Sequence, residues 1–186
     1  EQLHPEAVVT VVGHDADAVK AELGDRTQFA EQKEQLGTGH AVMQAEGILG
    51  GRRGVTMIVS GDTPLLTADT FNKLFAYHAD KGAKATILTA AAPDPTGYGR
   101  IIRGELGTVP TIVEQQDASP EAAQINEIHT AVFCFDTEAL FSAVHEVTTD
   151  TPPVAYYLTA ALAILTNRGD GVAASKLPNC DQCMGV

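Results

Sequence analysis

Val8-Val9-Thr10-Val11-Val12 is an unbroken run of apolar and β-branched residues, the pattern of a strand covered on both faces. Gly13 ends the run, and residues 15–23 continue at helical spacing. The alternation then repeats. Residues 27–31 read as a short strand. Residues 37–49 read as a helix, with Val42, Ala45 and Leu49 on one face and Thr38 at its start as a cap. Residues 55–60 read as a central strand. Residues 67–79 form an amphipathic pattern, with Phe71, Leu74, Phe75 and His78 at i, i+3, i+4 and i+7. Residues 83–92 are another strand. Between residues 93 and 136 the rhythm changes to strands with little helix: 100–103, 108–116 and 128–135. Pro93, Pro95, Gly97, Gly99, Gly104 and Gly107 punctuate them as turns. Helices return at 137–147, with Asp136 as cap, and at 154–167, and residues 172–177 close as a strand. Strand–helix alternation with short connections predicts a doubly wound α/β layer structure; the middle is an antiparallel, strand-rich insertion.

The chain has 186 residues, enough for one domain with its own core. Its 24 acidic residues outnumber 12 basic ones, a net charge of −12. That balance argues against nucleic acid or an anionic membrane as partner, since both call for basic patches. A small anionic ligand is compatible if a metal ion, backbone amides or a few placed cations supply the positive field. No apolar run reaches the roughly 20 residues of a membrane helix, and no secretory signal opens the chain, so the cytoplasm is the expected compartment. Glu1 stands where a Met would open a natural chain, and a buried strand follows almost at once. Residues 1–186 are therefore expected to be a single, truncated domain cut from a longer protein.

In an open α/β sheet, ligands bind beyond the carboxyl ends of the strands. After the strand at 55–60 comes Ser60-Gly61-Asp62-Thr63-Pro64. Gly61 lets a ligand approach the backbone, and Asp62 places a carboxylate where a hard cation could be held against a phosphate. The plain alternative is that Asp62 caps a turn before Pro64. Leu36-Gly37-Thr38-Gly39-His40 opens a helix whose amides could face an anion or a base edge, or could be an ordinary cap; Gln32 and Lys33 precede it. Pro95-Thr96-Gly97-Tyr98-Gly99-Arg100 is either a ligand-approach turn or a hairpin. Glu114 ends a strand and could accept hydrogen bonds from sugar hydroxyls, or be merely solvated. Glu127 and His129 alternate, so they share a face of their strand. Cys180-Asp181-Gln182-Cys183 has the spacing of a half zinc site or redox pair but lacks a second Cys/His pair nearby.

Together these segments resemble the uridyltransferase domain of the bacterial bifunctional N-acetylglucosamine-1-phosphate uridyltransferase/glucosamine-1-phosphate acetyltransferase. The resemblance is carried by Gln35-Leu36-Gly37-Thr38-Gly39-His40-Ala41, Ser60-Gly61-Asp62-Thr63-Pro64-Leu65-Leu66, Pro95-Thr96-Gly97-Tyr98-Gly99-Arg100-Ile101 and Ile112-Val113-Glu114-Gln115. Tyr156-Tyr157-Leu158-Thr159 and Gly185-Val186 add weaker matches, and the order holds across nearly the whole chain. It implies a Rossmann-like, glycosyltransferase-A-like nucleotidyltransferase fold, with a mixed, mostly parallel sheet and helices on both faces. The implied reaction is Mg²⁺-assisted attack of N-acetylglucosamine 1-phosphate on the α-phosphorus of UTP, giving UDP-N-acetylglucosamine and pyrophosphate for cell-wall synthesis. Carried over, Gln32, Gly37 and Thr38 contact the uracil, Ser60 and Gly61 line the ribose, and Asp62 binds Mg²⁺. Gly99 and Glu114 hold the sugar, and His129 stands where the family has an Asn that binds the nucleotide sugar. The family assembles as a homotrimer through a β-helix domain that this sequence does not include.

Several positions depart from the family pattern. Its Gly-rich opening loop with the following Lys, and the Asn that follows the terminal Gly-Val as second metal residue, have no counterpart here. Its Asn-Thr-Gly reads His129-Thr130-Ala131, and its Glu-Tyr-Tyr-Leu-Thr-Asp reads Ala155-Tyr156-Tyr157-Leu158-Thr159-Ala160. The chain alone is therefore expected to show little turnover. Two rivals remain: a relative acting on another sugar or base, and a degenerate domain that binds a nucleotide sugar without turnover.

Overall fold

The structure is a computed structural model that describes residues 3–103, 111–148, 155–178 and 180–183. These fall into two compact units, one from Glu1–Gly54 with Thr137–Ile164 and one from Val55–Asp136 with Leu165–Val186.

In the first unit, β1 (Val9–Val12) pairs parallel with β2 (Gln28–Glu31), joined by α1 (Ala16–Leu23). The helix expected over 37–49 divides into α2 (Thr38–Gln44) and α3 (Glu46–Leu49) at Ala45. Thr38 is not its cap. Gly37 takes that position with φ 110°, a conformation open essentially to glycine, which leaves Thr38 inside the first turn. Later in the chain α5 (Thr137–Val144) follows, and then α6 (Leu158–Asn167), the last residues of which belong to the second unit. Val154, the expected start of that last helix, lies outside the described residues.

The second unit holds six strands among the described residues, in the order β6-β5-β7-β4-β8, with β3 also on β7. They are β3 (Val55–Ile58), β4 (Ala85–Ala91), β5 (Arg100–Ile102), β6 (Thr111–Val113), β7 (Glu127–Asp136) and β8 (Val172–Lys176). The sheet is mixed. β4 and β8 are parallel, whereas β7 runs antiparallel to β3, β4 and β5, and β6 antiparallel to β5. Four strands thus share one direction, and β6 and β7 supply the expected antiparallel element. Residues 108–110 of the expected 108–116 strand lie outside the described residues, as do Gly104, Gly107 and Gly185-Val186.

β4 and β7 carry the core: six of the seven residues of β4 and seven of the ten of β7 are buried, on both faces of the sheet. Residues 55–60 were expected to be the central strand, but β3 pairs with β7 alone among the described residues and leaves Val55 and Val59 exposed. Leu74, Leu88, Val132 and Cys134 form one buried cluster, with Met57, Leu66 and Phe71 against it. Each large aliphatic side chain so buried contributes roughly 1.5–3 kcal/mol. Leu74 comes from α4 (Ala68–Lys81), which Thr67 caps by accepting a hydrogen bond from the Thr70 amide at 3.3 Å. The buried stripe of α4 is Thr70, Leu74 and His78; Phe75, expected inside, is exposed, because position i+1 from Leu74 lies off that stripe.

Candidate functional site

The nominated residues are Gln32, Gly37 and Thr38 in the first unit, and Ser60, Gly61, Asp62, Gly99, Glu114 and His129 in the second.

Gln32 follows β2, and its side-chain amide donates to the Gly37 carbonyl and faces His40 Nδ1, both at 3.0 Å. This draws Gln32 and Gly37 together across the loop ahead of α2. The glycines at 37 and 39 are explained by the chain itself. A Cβ at Gly37 would stand 2.7 Å from the Tyr156 carbonyl oxygen, and one at Gly39 2.9 Å from the same atom. Residues 36–39 and 156–158 are in fact laced together: the Tyr156 amide donates to Leu36 O at 2.7 Å, the Gly39 amide to Tyr156 O at 2.6 Å, and the Leu158 amide to Thr38 Oγ1 at 3.0 Å. The reading of exposed helix-start amides therefore needs correction, since the Gly39 amide serves Tyr156. Sequence reasoning missed Tyr156, His40 and Gln44 as partners here. Tyr156 had the weak Tyr156-Tyr157-Leu158-Thr159 match as its signal, His40 stood in the Gln35–Ala41 match without a role, and Gln44 had no signal. Beside this loop lies a cavity of about 290 Å³ lined by Glu31, Lys33, Glu34, His40 and Gln44.

In the second unit, Ser60, Gly61 and Asp62 share the turn that leaves β3. The turn is closed by Thr63, whose buried hydroxyl donates to the Ser60 carbonyl at 2.9 Å. The capping role considered for Asp62 thus belongs to Thr63, and Asp62 is exposed. A Cβ at Gly61 would meet no atom within 4 Å, so open space adjoins that backbone. Among the described residues no three His, Cys, Asp or Glu side chains converge on a metal site. A single carboxylate is nonetheless enough for Mg²⁺, which keeps most of its shell as water and substrate phosphate.

Gly99, Glu114 and His129 are brought together. The His129 amide donates to the Gly99 carbonyl at 3.1 Å, and His129 Nε2 lies 3.6 Å from Glu114 Oε2. Their shared register follows from β5 lying between β6 and β7, with Arg100 paired to both Val113 and Ile128. Next to them the turn at 94–99 is braced twice. Asp94 accepts the Thr96 amide at 3.0 Å, and the Thr96 hydrogen bonds hold the Asp94 carboxyl below its usual range. Gln115 Oε1 accepts both the Gly97 amide and the Arg100 guanidinium at 2.9 Å. Arg100 is only 2% exposed, also donates to the Tyr98 carbonyl, and has no partner for its Nε among the described residues.

Two further groups have structural roles. Glu127 accepts from Thr89 at 2.7 Å and from Arg103 at 2.6 and 3.0 Å, with Lys176 at 3.4 Å. Burial pushes its carboxyl up, but these donors outweigh burial and hold it below the usual range. Cys180 and Cys183 are buried in the cluster with Ala90, Ala92 and Ile128, and burial pushes the Cys183 thiol up to about 11. A thiol so placed is inert near neutrality.

The nucleotidyl transferase family matches residues 5–176. The chain is 61% identical to the bifunctional protein GlmU of Latilactobacillus sakei over 186 residues, all of this chain and 40% of that protein. It is 55% identical to the GlmU of Enterococcus faecalis, again over all of this chain and 41% of the relative. The chain thus spans about two fifths of the length of these relatives. Among solved structures, a chain described as a glucose-1-phosphate thymidylyltransferase from Bacillus anthracis, in complex with sucrose, superposes with a TM-score of 0.68 at 17% identity. That match covers 91% of this chain and 67% of the other, and it supports the fold. With the α/β architecture, this places the chain in the nucleotidyl transferase family.

Proposed function

We propose that this chain is the nucleotide- and sugar-binding part of a cytoplasmic uridyltransferase that joins UTP and N-acetylglucosamine 1-phosphate into UDP-N-acetylglucosamine and pyrophosphate, with Mg²⁺. The observation that carries the reading is the turn after β3, where Asp62 is exposed beside the open backbone of Gly61. Asp62 would hold the metal. Bound there, Mg²⁺ would supply charge neutralisation on phosphate oxygens and a fixed in-line geometry. The residues of the chain would do the rest by positioning. Ser60 and Gly61 would face the ribose through backbone, Gln32, Gly37 and Thr38 the uracil, and Gly99, Glu114 and His129 the sugar. No covalent enzyme intermediate is needed, so Asp62 serves as an anchor and not a base.

A second reading, a nucleotide-sugar binder without turnover, is favoured by one observation: the His129 ring lies over Gly99. Calorimetry with UDP-N-acetylglucosamine, with and without Mg²⁺, tests both. Binding that requires Mg²⁺ and weakens at least about tenfold in Asp62→Asn supports the site. Metal-independent binding, indifferent to that substitution, would overturn it. Pyrophosphate release from UTP and the sugar phosphate then separates the transferase from the binder.

A further inference from the structure

β7 contains a two-residue bulge where it passes the sugar-side cluster. Ile87 and Thr89 of β4 pair with Phe133 and His129, so the single residue between them on β4, Leu88, faces three on β7, Thr130, Ala131 and Val132. Ala131 in the bulge has φ 56°, a left-handed conformation unusual for alanine. Its amide donates to His129 Nδ1 at 3.3 Å. In the neutral ring this leaves the proton on Nε2, the nitrogen that faces Glu114 Oε2 at 3.6 Å. The ring is thereby held at Nδ1 and faces a carboxylate at Nε2. Phe133 flanks it at 6.5 Å between centroids. The face it covers is Gly99: a Cβ there would stand 2.5 Å from His129 Cδ2 and 2.6 Å from Nε2. The space that the absence of a side chain at position 99 opens is filled by imidazole.

We infer that His129 is the specificity-determining residue of this subsite. Its ring makes the contacts on Gly99 and Glu114 that the transferase reading gives to the sugar, so the inference takes the second of the two readings above, in which an attached sugar adds almost nothing to the binding of a uridine diphosphate. The inference rests on the uridine-nucleotide reading above. A sugar gains the Gly99 face only if the ring leaves it, and leaving it breaks the bond to the Ala131 amide. Asparagine at the same position ends sooner and does not span Gly99.

The test is calorimetry on the full chain and on His129→Asn, with UDP and UDP-N-acetylglucosamine, each with Mg²⁺. In the unsubstituted chain the two ligands should bind within about threefold of each other. In His129→Asn the sugar conjugate should tighten by about tenfold while UDP stays unchanged. A sugar conjugate that outbinds UDP by more than about tenfold in the unsubstituted chain, or an unaltered preference in the variant, overturns the inference and leaves the nucleotide reading standing. Failure of UDP itself to bind overturns that reading and the inference with it. Nitrogen-15 spectra of the histidine rings give a measurement on the unsubstituted chain alone: His129 should carry its proton on Nε2, and an Nδ1–H ring would overturn the arrangement.

Discussion

A methyl group at Gly37 would meet the Tyr156 carbonyl at 2.7 Å and would sit on backbone at φ 110°, whereas one at Gly61 would meet nothing. The two glycines are therefore separable by one substitution each. Gly37→Ala should cost about 3 kcal/mol or more in a denaturant melt, since strain and clash act together. Gly61→Ala should leave stability within about 0.5 kcal/mol yet weaken UDP-N-acetylglucosamine by at least about tenfold, if a ligand uses that backbone. Unchanged affinity in Gly61→Ala would remove the turn from the site. Ala131 is the converse case. Its left-handed conformation costs an alanine roughly 1–2 kcal/mol. Glycine there forfeits about 0.4–1 kcal/mol through the looser unfolded chain. Strain wins, so Ala131→Gly should raise stability by about 0.5–1 kcal/mol in the same melt, and a loss would show the bulge to be relaxed.

At the scale of elements, α4 and β7 each bury a titratable group that fixes how stability responds to acid. His78 of α4 is 4% exposed and shares a hydrogen bond with Thr86 of β4 at 2.8 Å. Burial lowers its pKa, against a smaller opposing pull from Asp136. The unfolded chain therefore takes up the proton first, and stability falls as pH drops below the ordinary histidine value of about 6.5. Glu127 of β7 also titrates low. Its contribution is full above the ordinary carboxylate range and is lost as pH falls through its lower folded value. Melting temperature should thus decline in two stages below about pH 6.5, and His78→Gln should abolish the upper stage. A flat profile between neutrality and the carboxylate range would contradict this. The strands beside these groups were legible from apolar runs: β7 lies within one residue of its expected limits at each end, and β4 begins two residues later and ends one residue earlier than expected. The cap at Thr38 and the inward Phe75 were not: the backbone of Gly37 takes the cap one position earlier, and the buried stripe of α4 runs through Thr70, Leu74 and His78, one position off Phe75.

For the whole molecule, the contrast between what the sequence discloses and what it conceals follows sequence distance. The Ser60–Asp62 turn and the strand before it are contiguous, and local chemistry singled out Gly61 and Asp62, to which the resemblance added Ser60. The Thr38 hydroxyl meets the Leu158 amide across 120 residues, and no spacing rule finds such a pair. His129 over Gly99 is the same kind of event, visible only once β5 and β7 pair. One property, however, needs no contact map. A net charge of −12 surrounds any anionic nucleotide that binds this chain. Without Mg²⁺ the protein field opposes a nucleotide diphosphate, and salt screens that opposition. The screening length falls from about 30 Å at 0.01 M to about 8 Å at 0.15 M ionic strength, which removes most of the repulsion from charges outside the site itself. Metal-free affinity for UDP-N-acetylglucosamine should therefore rise with added KCl, by about twofold or more over that range. With Mg²⁺ present the dependence should flatten, because the ion offsets the ligand charge at the point of contact. A metal-free affinity that falls with salt would mean that direct cationic contacts, and not Asp62 with its metal, hold the phosphates.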